Sequence, residues 1–176
     1  MRSFIALDIP SEVTEIIYMK GSLFRGFVEG SFVKKEHIHA TLFFFEDFKG
    51  DIDKVNRYLA SISCEIISKL TKLSFFSRKN YPAVLYAEFD PTNVQYIYDE
   101  MKSFLLGLKI PFDDKPFKSH ITICRIKKIR DMDKFYAEVR KGVDCVNFKF
   151  PSITFYQSTL TPNGPLYNII FRKELL

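Results

Sequence analysis

At 176 residues, the chain has the length of one domain or of two small lobes packed together, and its 47% apolar and 27% charged residues exclude a disordered chain. No apolar run approaches the roughly 20 residues of a membrane-spanning helix, and the opening MRSFIALDIP lacks the pattern of a signal peptide, so we expect a cytoplasmic protein with no membrane partner. The 26 Lys and Arg against 21 Asp and Glu give a net charge of +5, which is compatible with a polyanionic partner without identifying one.

The first half of the chain predicts strands and helices in alternation. A strand covers residues 2–9, and Ser11 is predicted to cap a helix with acidic residues in its first turn. Strands follow near 31–34 and over 38–45, and apolar residues at helical spacing then predict a helix over 52–62. Two further strands are predicted over 72–76 and 83–89.

The second half predicts the same kinds of element. Thr92 is predicted to cap a helix that turns Val94, Ile97, Met101 and Leu105 inward. A strand over 121–126, a helix over 133–140 and strands over 148–157 and 166–171 complete the chain. The sequence therefore predicts an α+β fold of mainly antiparallel strands.

An internal repeat relates the two halves. Ala6, Pro10, Ser11 and Val13 recur 81 positions later as Ala87, Pro91, Thr92 and Val94. His39 and Thr41 recur at the same displacement as His120 and Thr122. Several matches in one register indicate a duplicated unit. We therefore predict a single bilobal domain over 1–176, built from repeats of about 1–81 and 82–176.

Two His-x-Thr motifs carry the chemical argument. Residues two apart in a strand point to the same face, so His39 projects beside Thr41 and His120 beside Thr122. If the repeats pack about a pseudo-twofold axis, two imidazoles and two hydroxyls meet across a cleft. Imidazole serves as acid or base near neutral pH, and hydroxyls can donate to phosphoryl oxygens. This arrangement indicates a phosphate site that needs neither a metal nor another cofactor, because hydroxyls and basic side chains stabilise the charge.

Two other interpretations of these histidines are open. A histidine in an apolar strand is often a hydrogen-bonded core residue. Alternatively, His37 and His39 share a strand face and could join His120 in a three-histidine zinc site. The repeat argues against zinc, because His37 corresponds to Lys118. The cysteines, Cys64, Cys124 and Cys145, are an odd number at wide spacings, which argues against a disulfide framework or a four-ligand zinc site.

Basic residues follow one another around the second motif. No acidic residue lies between Asp114 and Asp131, a stretch that contains Lys115, Lys118, Arg125, Lys127, Lys128 and Arg130. A solvated strand with a basic turn explains this charge as well as an anion-binding surface does. The charge alone therefore decides nothing.

The paired motifs His39-Ala40-Thr41-Leu42 and His120-Ile121-Thr122-Ile123 resemble the signature of the 2H phosphoesterase superfamily. The opening MRSFIALDIP, the stretch FKSHITICR from Phe117 to Arg125, and Ser158, Gly164 and Tyr167 resemble its RNA 2',3'-cyclic phosphodiesterase branch, also called 2'-5' RNA ligases. The resemblance implies a bilobal fold with two antiparallel sheets facing a central cleft and helices outside. It also implies that a terminal 2',3'-cyclic phosphate is hydrolysed to a 2'-phosphate.

The resemblance also implies roles for individual residues. His39 would be the proton donor and His120 the acceptor, with Thr41 and Thr122 holding the phosphoryl oxygens. Arg125 matches a family-typical arginine, although strand alternation aims it away from His120 unless the strand bulges. Alternation along the strand places Phe43 on the same face as His39, which makes it a candidate for base stacking. Tyr167 is either a cleft residue or a packing residue.

Three functions are consistent with the sequence. The first is the metal-independent hydrolase, acting on RNA ends such as those of tRNA halves or on a small cyclic nucleotide, with no obligate protein partner. The second is the reverse reaction, in which an RNA 5'-hydroxyl attacks the cyclic phosphate and leaves a 2'-5' linkage. The third is a non-catalytic RNA-binding module that keeps the fold and the basic surface.

Overall fold

Runs rich in Ile, Val, Phe and Tyr form nine strands, and segments with apolar residues at helical spacing form four α-helices, in the computed structural model, which describes residues 1–175. In chain order the elements are β1 (Ser3–Asp8), α1 (Ser11–Phe24), β2 (Val28–Phe32), β3 (His39–Phe45), α2 (Ile52–Ser61), β4 (Ile67–Arg78), β5 (Tyr81–Phe89), α3 (Thr92–Gly107), β6 (Ile121–Ile129), α4 (Met132–Lys141), β7 (Asn147–Lys149), β8 (Ser152–Thr161) and β9 (Gly164–Glu174). A short 3-10 turn at Lys35–His37 directly precedes β3. None of the helices in this part of the chain has the length and apolar character needed to cross a membrane.

The strands form two antiparallel sheets. The four-stranded sheet has the order β3-β1-β8-β9, and the five-stranded sheet has the order β2-β6-β5-β4-β7. Each sheet takes strands from both halves of the chain, since β8 and β9 join β1 and β3, whereas β2 and β4 join β5 and β6. Neither sheet is therefore formed by one half of the chain alone.

Helices cover the outer face of each sheet. On the five-stranded sheet, Phe135 of α4 contacts both Phe24 of α1 and Phe75 of β4. On the four-stranded sheet, α2 and α3 contact each other through stacked Tyr58 and Phe104, with ring centroids 4.0 Å apart. The apolar residues of both sheets that face these helices form the core. The α+β fold with two antiparallel sheets and outer helices, predicted from the sequence, is confirmed.

The two predicted helix caps are wrong. Ser11 and Thr92 are the first residues inside α1 and α3, and a proline precedes each of them. At α3 the capping carboxylate belongs to Asp90, which accepts hydrogen bonds from the backbone nitrogen of Thr92 at 3.0 Å and from its hydroxyl at 2.6 Å. Proline is well placed next to a helix start because it has no amide hydrogen to satisfy.

Several strand boundaries also differ from the prediction. The second strand runs over Val28–Phe32 rather than 31–34, and the fourth extends to Ile67–Arg78 because its pairing with β5 and β7 continues past the apolar run. The segment 148–157 is divided into β7 and β8. Pro151 lies at the division, where it cannot donate a ladder hydrogen bond.

Both motif strands contain a β-bulge one residue after the threonine. In β3, Thr41 pairs with Ala6 and Phe43 with Ile5, so Leu42 is the extra residue. In β6, Thr122 pairs with Tyr86 and Cys124 with Leu85, so Ile123 is the extra residue. The extra residues are 81 positions apart, which is the displacement of the sequence repeat. A bulge shifts the alternation of side chains by one, so each strand changes which residues face outward beyond this point.

The β2–β6 contact depends on a glycine. A methyl group at Gly30 would lie 2.3 Å from the carbonyl oxygen of Arg125 and 2.9 Å from the sulfur of Cys124. Because the oxygen is backbone, it can move only if the strand pairing is disturbed.

We expect Gly30→Ala to lower the free energy of unfolding by about 1–3 kcal/mol, measured by chemical denaturation. Gly26→Ala is the matched control, since a methyl group there meets nothing within 4 Å, and it should change the free energy by no more than about 0.5 kcal/mol. Equal destabilisation by the two variants would contradict this account of the β2–β6 contact.

Candidate active site

The two motif histidines are held in the same way. His39 is the first residue of β3, and His120 directly precedes β6. Nδ1 of His39 lies 2.7 Å from the carbonyl oxygen of His37, and Nδ1 of His120 lies 2.7 Å from that of Lys118. A carbonyl can only accept, so each Nδ1 carries the hydrogen and donates it. In each neutral ring Nε2 is therefore the basic nitrogen, available to take or give a proton.

The motif threonines lie beside these rings. The hydroxyl oxygen of Thr41 is 3.0 Å from Nε2 of His39, so His39 and Thr41 form the local pair that their spacing predicted. Thr122 is half-buried and pairs across the sheet with Tyr86, whose ring lies edge-on to His120 with centroids 5.8 Å apart. Nε2 of His39 thus has a hydroxyl within hydrogen-bond distance, and Thr122 follows His120 at the same spacing in sequence.

The rings around the two histidines differ. His39 stacks on Phe4 at 4.8 Å, Phe4 stacks on Tyr156 at 5.0 Å, and Tyr167 meets His39 edge-on at 5.7 Å. His120 instead meets the edge of Phe76 at 5.3 Å, in addition to Tyr86. The imidazole of His39 is fixed in a parallel stack, whereas that of His120 is held by edge contacts.

The surroundings lower the pKa of His39 to about 4. Loss of water contact among the neighbouring rings is the main cause, because it disfavours the charged imidazolium. The hydrogen bond to the carbonyl of His37 and the negative charge of Asp8 act in the opposite direction, and the positive charge of His120 adds to the lowering. The charge of His120 therefore acts on His39 although the two rings lie at the ends of strands in different sheets.

The pKa of His120 is also lowered. Burial is the largest cause, the hydrogen bond to the carbonyl of Lys118 opposes it, and the positive charges of Arg125 and Lys118 lower it further. His39 therefore has a carboxylate for a neighbour and His120 has two cations. Charge favours the protonated form of the first ring and the neutral form of the second.

The bulge in β6 brings Arg125 to the site. Simple alternation would aim Arg125 away from Thr122, but the extra residue Ile123 places both on the open face. The charge of Arg125 lowers the pKa not only of His120 but also of Tyr167, on the opposite sheet, although burial raises the pKa of Tyr167 overall. Arg125 thus lies within electrostatic reach of both His120 and Tyr167.

The stacking role predicted for Phe43 is wrong. The bulge in β3 turns Phe43 inward, where its ring is 2% exposed and stacks on Tyr98 at 4.6 Å. Phe44 faces outward in its place and lies under the guanidinium of Arg2. Phe43 is a core residue because the alternation used to place it holds only in a regular strand.

A cluster of polar side chains around Asp8 was missed by the sequence analysis. The Asp8 carboxylate accepts hydrogen bonds from Ser152 at 2.5 Å, Thr154 at 2.6 Å and Tyr156 at 2.5 Å, and it pairs with Arg172 at 3.3 Å. One signal was available, since residues 152, 154 and 156 place three hydroxyls on one face of a strand. Asp8 lies directly opposite His39 in the β1–β3 ladder, so the cluster borders the site.

Glu88 holds the comparable place in the other sheet. The pair Ala87–Ile121 ends the β5–β6 ladder, and Glu88 is the next residue along β5, on the side of His120. Its carboxylate pairs with Lys118 at 2.7 Å and with Lys72 at 3.9 Å. Two cations neutralise Glu88, whereas Asp8 is held mainly by hydroxyls. The two motifs therefore lie in different electrostatic surroundings.

An open groove of about 610 Å³ lies beside His39. Its walls come from the end of β1, the start of α1, the turn before β3, and strands β8 and β9, including Asp8, Tyr156, Tyr167 and Arg172. The groove gives His39 access to a ligand from outside.

The structure forms no cluster for the zinc alternative. Within residues 1–175, no three His, Cys, Asp or Glu side chains lie together in a way that could hold a metal ion. His37 packs its ring 4.7 Å from Tyr167. The three thiols form no disulfide, and burial raises the pKa of Cys124 to about 12.

Comparisons with known proteins identify the family of this chain. The family model described as LigT like phosphoesterase matches residues 91–167. A protein of Methanocaldococcus jannaschii named RNA 2',3'-cyclic phosphodiesterase is 33% identical, over 97% of this chain and 98% of its own length. One of Thermotoga maritima with the same name is 32% identical, over 99% of this chain and 95% of its own length.

Solved structures show the same fold. The protein TT0787 of Thermus thermophilus matches with a TM-score of 0.81 at 22% identity, covering 99% of this chain and 97% of that one. LigT of E. coli complexed with 3'-AMP matches with a TM-score of 0.75 at 20% identity, with the same coverage. The family model and the curated relatives define a 2H phosphoesterase. Within that class, this chain belongs to the RNA 2',3'-cyclic phosphodiesterase family of the 2H phosphoesterase superfamily.

The lowered pKa of His39 predicts how stability depends on pH. The unfolded chain binds the proton near pH 6.5, whereas the folded ring binds it near pH 4, so acid favours the unfolded state as the pH falls through this interval. We expect the free energy of unfolding of the wild type to decrease as the pH falls from 6.5 to 4. In His39→Gln the same fall in pH should decrease the free energy of unfolding by a smaller amount, because the titrating ring is absent. Denaturant titrations at several pH values measure both. An equal decrease in the two proteins would contradict the assignment.

Proposed function

We propose that this protein is a metal-independent phosphodiesterase that hydrolyses the 2',3'-cyclic phosphate at an RNA end to a 2'-phosphate. The observation that carries the proposal is the pair of imidazoles held alike, each with Nδ1 on a backbone carbonyl, which leaves Nε2 as the nitrogen for proton transfer. Membership of the family and the names of the relatives support the choice of reaction.

In the proposed reaction a water oxygen bonds to phosphorus while the bond from phosphorus to the 3'-oxygen breaks. Nε2 of His120 accepts the proton of the water, and Nε2 of His39 donates a proton to the departing 3'-oxygen. Asp8 beside His39 and the cations beside His120 favour this division of roles. The anionic phosphate adds a negative charge, which raises the pKa of both rings in the complex and helps His39 to hold its proton.

Four other side chains hold the substrate in this proposal. Thr41 and Thr122 donate hydrogen bonds to the phosphoryl oxygens, and the guanidinium of Arg125 stabilises their negative charge. Tyr167 lines the cleft beside His39, where it contacts the substrate. These groups supply the charge stabilisation that a metal ion gives in other phosphodiesterases. We place the reaction in the cytoplasm, on RNA ends such as tRNA halves or on a small cyclic nucleotide.

The ligase reaction uses the same groups. An RNA 5'-hydroxyl in place of water leaves a 2'-5' linkage, with the proton transfers otherwise unchanged. Dilute RNA favours hydrolysis and concentrated RNA ends favour joining, so the products formed at the two concentrations separate the hydrolase from the ligase. A non-catalytic RNA-binding module would bind RNA but leave the cyclic phosphate intact.

We expect the protein in EDTA to convert an oligoribonucleotide with a 2',3'-cyclic phosphate to the 2'-phosphate. His39→Ala and His120→Ala should each reduce kcat by about 10²- to 10⁴-fold, because each removes a proton-transfer group. The product phosphate is identified by chromatography against 2'- and 3'-phosphate standards. Equal turnover in all three proteins would overturn the two-histidine mechanism, and loss of activity in EDTA restored by zinc would overturn metal independence.

Asp8→Asn tests which histidine is the donor. Removing the carboxylate charge lowers the pKa of His39 further. If His39 must be protonated, kcat/KM at pH 7 falls about tenfold for each unit by which that pKa drops. If His39 were instead the base, the same change would leave kcat/KM unchanged or raised.

Glu88→Gln is the matched control for Asp8→Asn, because Glu88 is already neutralised by Lys118 and Lys72. It should change kcat/KM far less. The pH profile of kcat/KM provides a second measurement. Because both histidines have pKa values below 6.5, the maximum of the bell-shaped profile should lie below pH 6.5, and Asp8→Asn should move it to lower pH.

A further inference from the structure

A second irregularity in β6 gathers positive charge on the open face. Opposite β2, Lys128 pairs with Glu29 and Ile126 with Gly30, so Lys127 is an extra residue. The pattern of burial along β6 agrees with the two bulges. The apolar side chains turn towards the helices, namely Ile123, Cys124, Ile126 and Ile129, and the basic side chains are exposed, namely Arg125, Lys127 and Lys128. Three cations therefore continue from Thr122 on the face that carries the motif, rather than alternating between the two faces.

The neighbouring strands add to this charge. Arg78 is the last residue of β4 and is exposed. It is two residues from Phe76, whose ring contacts His120, so the two side chains lie on the same face of the strand. Lys79 and Asn80 form the turn to β5, both with positive φ. Adjacent strands lie about 4.8 Å apart, so Arg78 on β4 lies roughly 10 Å across β5 from the end of β6. We call Arg78, Arg125, Lys127 and Lys128 the basic strip.

The charges of the basic strip are uncompensated. Among the described residues, none of its four members forms an ion pair, whereas Lys72, Lys118 and Arg130 around it are paired with Glu88 or Glu29. Four uncompensated cations on one surface repel one another, so a bound polyanion would stabilise them. The strip runs about 20 Å from Thr122 to Lys128, at roughly 3.3 Å per residue, which is long enough for more than one backbone phosphate.

We propose that the basic strip binds the ribose-phosphate backbone of single-stranded RNA whose terminal phosphate lies between His39 and His120. This inference rests on the proposed function, which places the terminal phosphate of the RNA between the two histidines. Arg125 connects the two surfaces, since its charge acts on His120 and it begins the strip. Phosphates carry one negative charge each whatever the base, so the strip selects for an RNA chain over a mononucleotide without reading its sequence.

The test compares substrates and measures binding with the double variant Lys127→Gln/Lys128→Gln. The control is Lys54→Gln/Arg57→Gln, which removes the same charge from exposed residues of α2 that have no ion pair among residues 1–175. Kinetics use adenosine 2',3'-cyclic phosphate and an oligoribonucleotide with the same end. Binding of an oligoribonucleotide with a 3'-phosphate is followed by fluorescence anisotropy over a range of salt concentrations.

We expect the strip variant to lower the ratio of kcat/KM for the oligonucleotide to that for the mononucleotide by tenfold or more, and the control to leave the ratio unchanged. The slope of log K against log salt should become shallower by about 0.7 for each lost phosphate contact, or about 1.4 for two. An unchanged ratio and slope would overturn the inference. Strip-dependent binding by a protein that hydrolyses neither substrate would overturn the proposed function and leave the RNA-binding strip standing.

Discussion

The chemistry of this site depends on the hydrogen bond from Nδ1 of each motif histidine to the carbonyl two residues earlier. Because that carbonyl can only accept, the bond fixes the tautomer and directs Nε2 of His39 and of His120 away from the backbone. The other tautomer would lose the bond inside a site with little water, at a cost of about 1–3 kcal/mol. Proton transfer at each ring is thereby restricted to one nitrogen.

The two bulges decide which side chains join this pair of rings. Leu42 and Ile123 are the extra residues, and beyond them Phe43 turns into the core while Arg125 turns to the cleft. Strand alternation places side chains correctly as far as the threonine and fails after it. Nothing in the sequence marks a bulge at these positions, since neither contains glycine. This is why the neighbouring positions of His39 and Thr41 could be predicted from spacing, and the orientations of Phe43 and Arg125 could not.

Contacts distant in sequence account for the other omissions. The helices and most strands follow from local spacing, which one sequence contains. The Asp8 cluster joins residues up to 164 positions apart, through the pairing of β1 with β8 and of β8 with β9. In the first of these pairings, a strand from the last part of the chain joins the sheet that contains the first strand. The division into repeats of about 1–81 and 82–176 stays a prediction, which the equal positions of the two bulges support.

Duplication by itself would give two equivalent histidines, and a displacement at phosphorus needs two different ones. The backbone of the motifs is the same in both strands, so the difference has to come from their neighbours. Asp8 is held by three hydroxyls and Arg172 beside His39, whereas Glu88 is neutralised by two lysines beside His120. Burial is the largest cause of the lowered pKa of each ring. The carboxylate of Asp8 raises the pKa of His39 and the guanidinium of Arg125 lowers that of His120, and these opposite effects are the ones on which the proposed assignment of proton donor and acceptor depends.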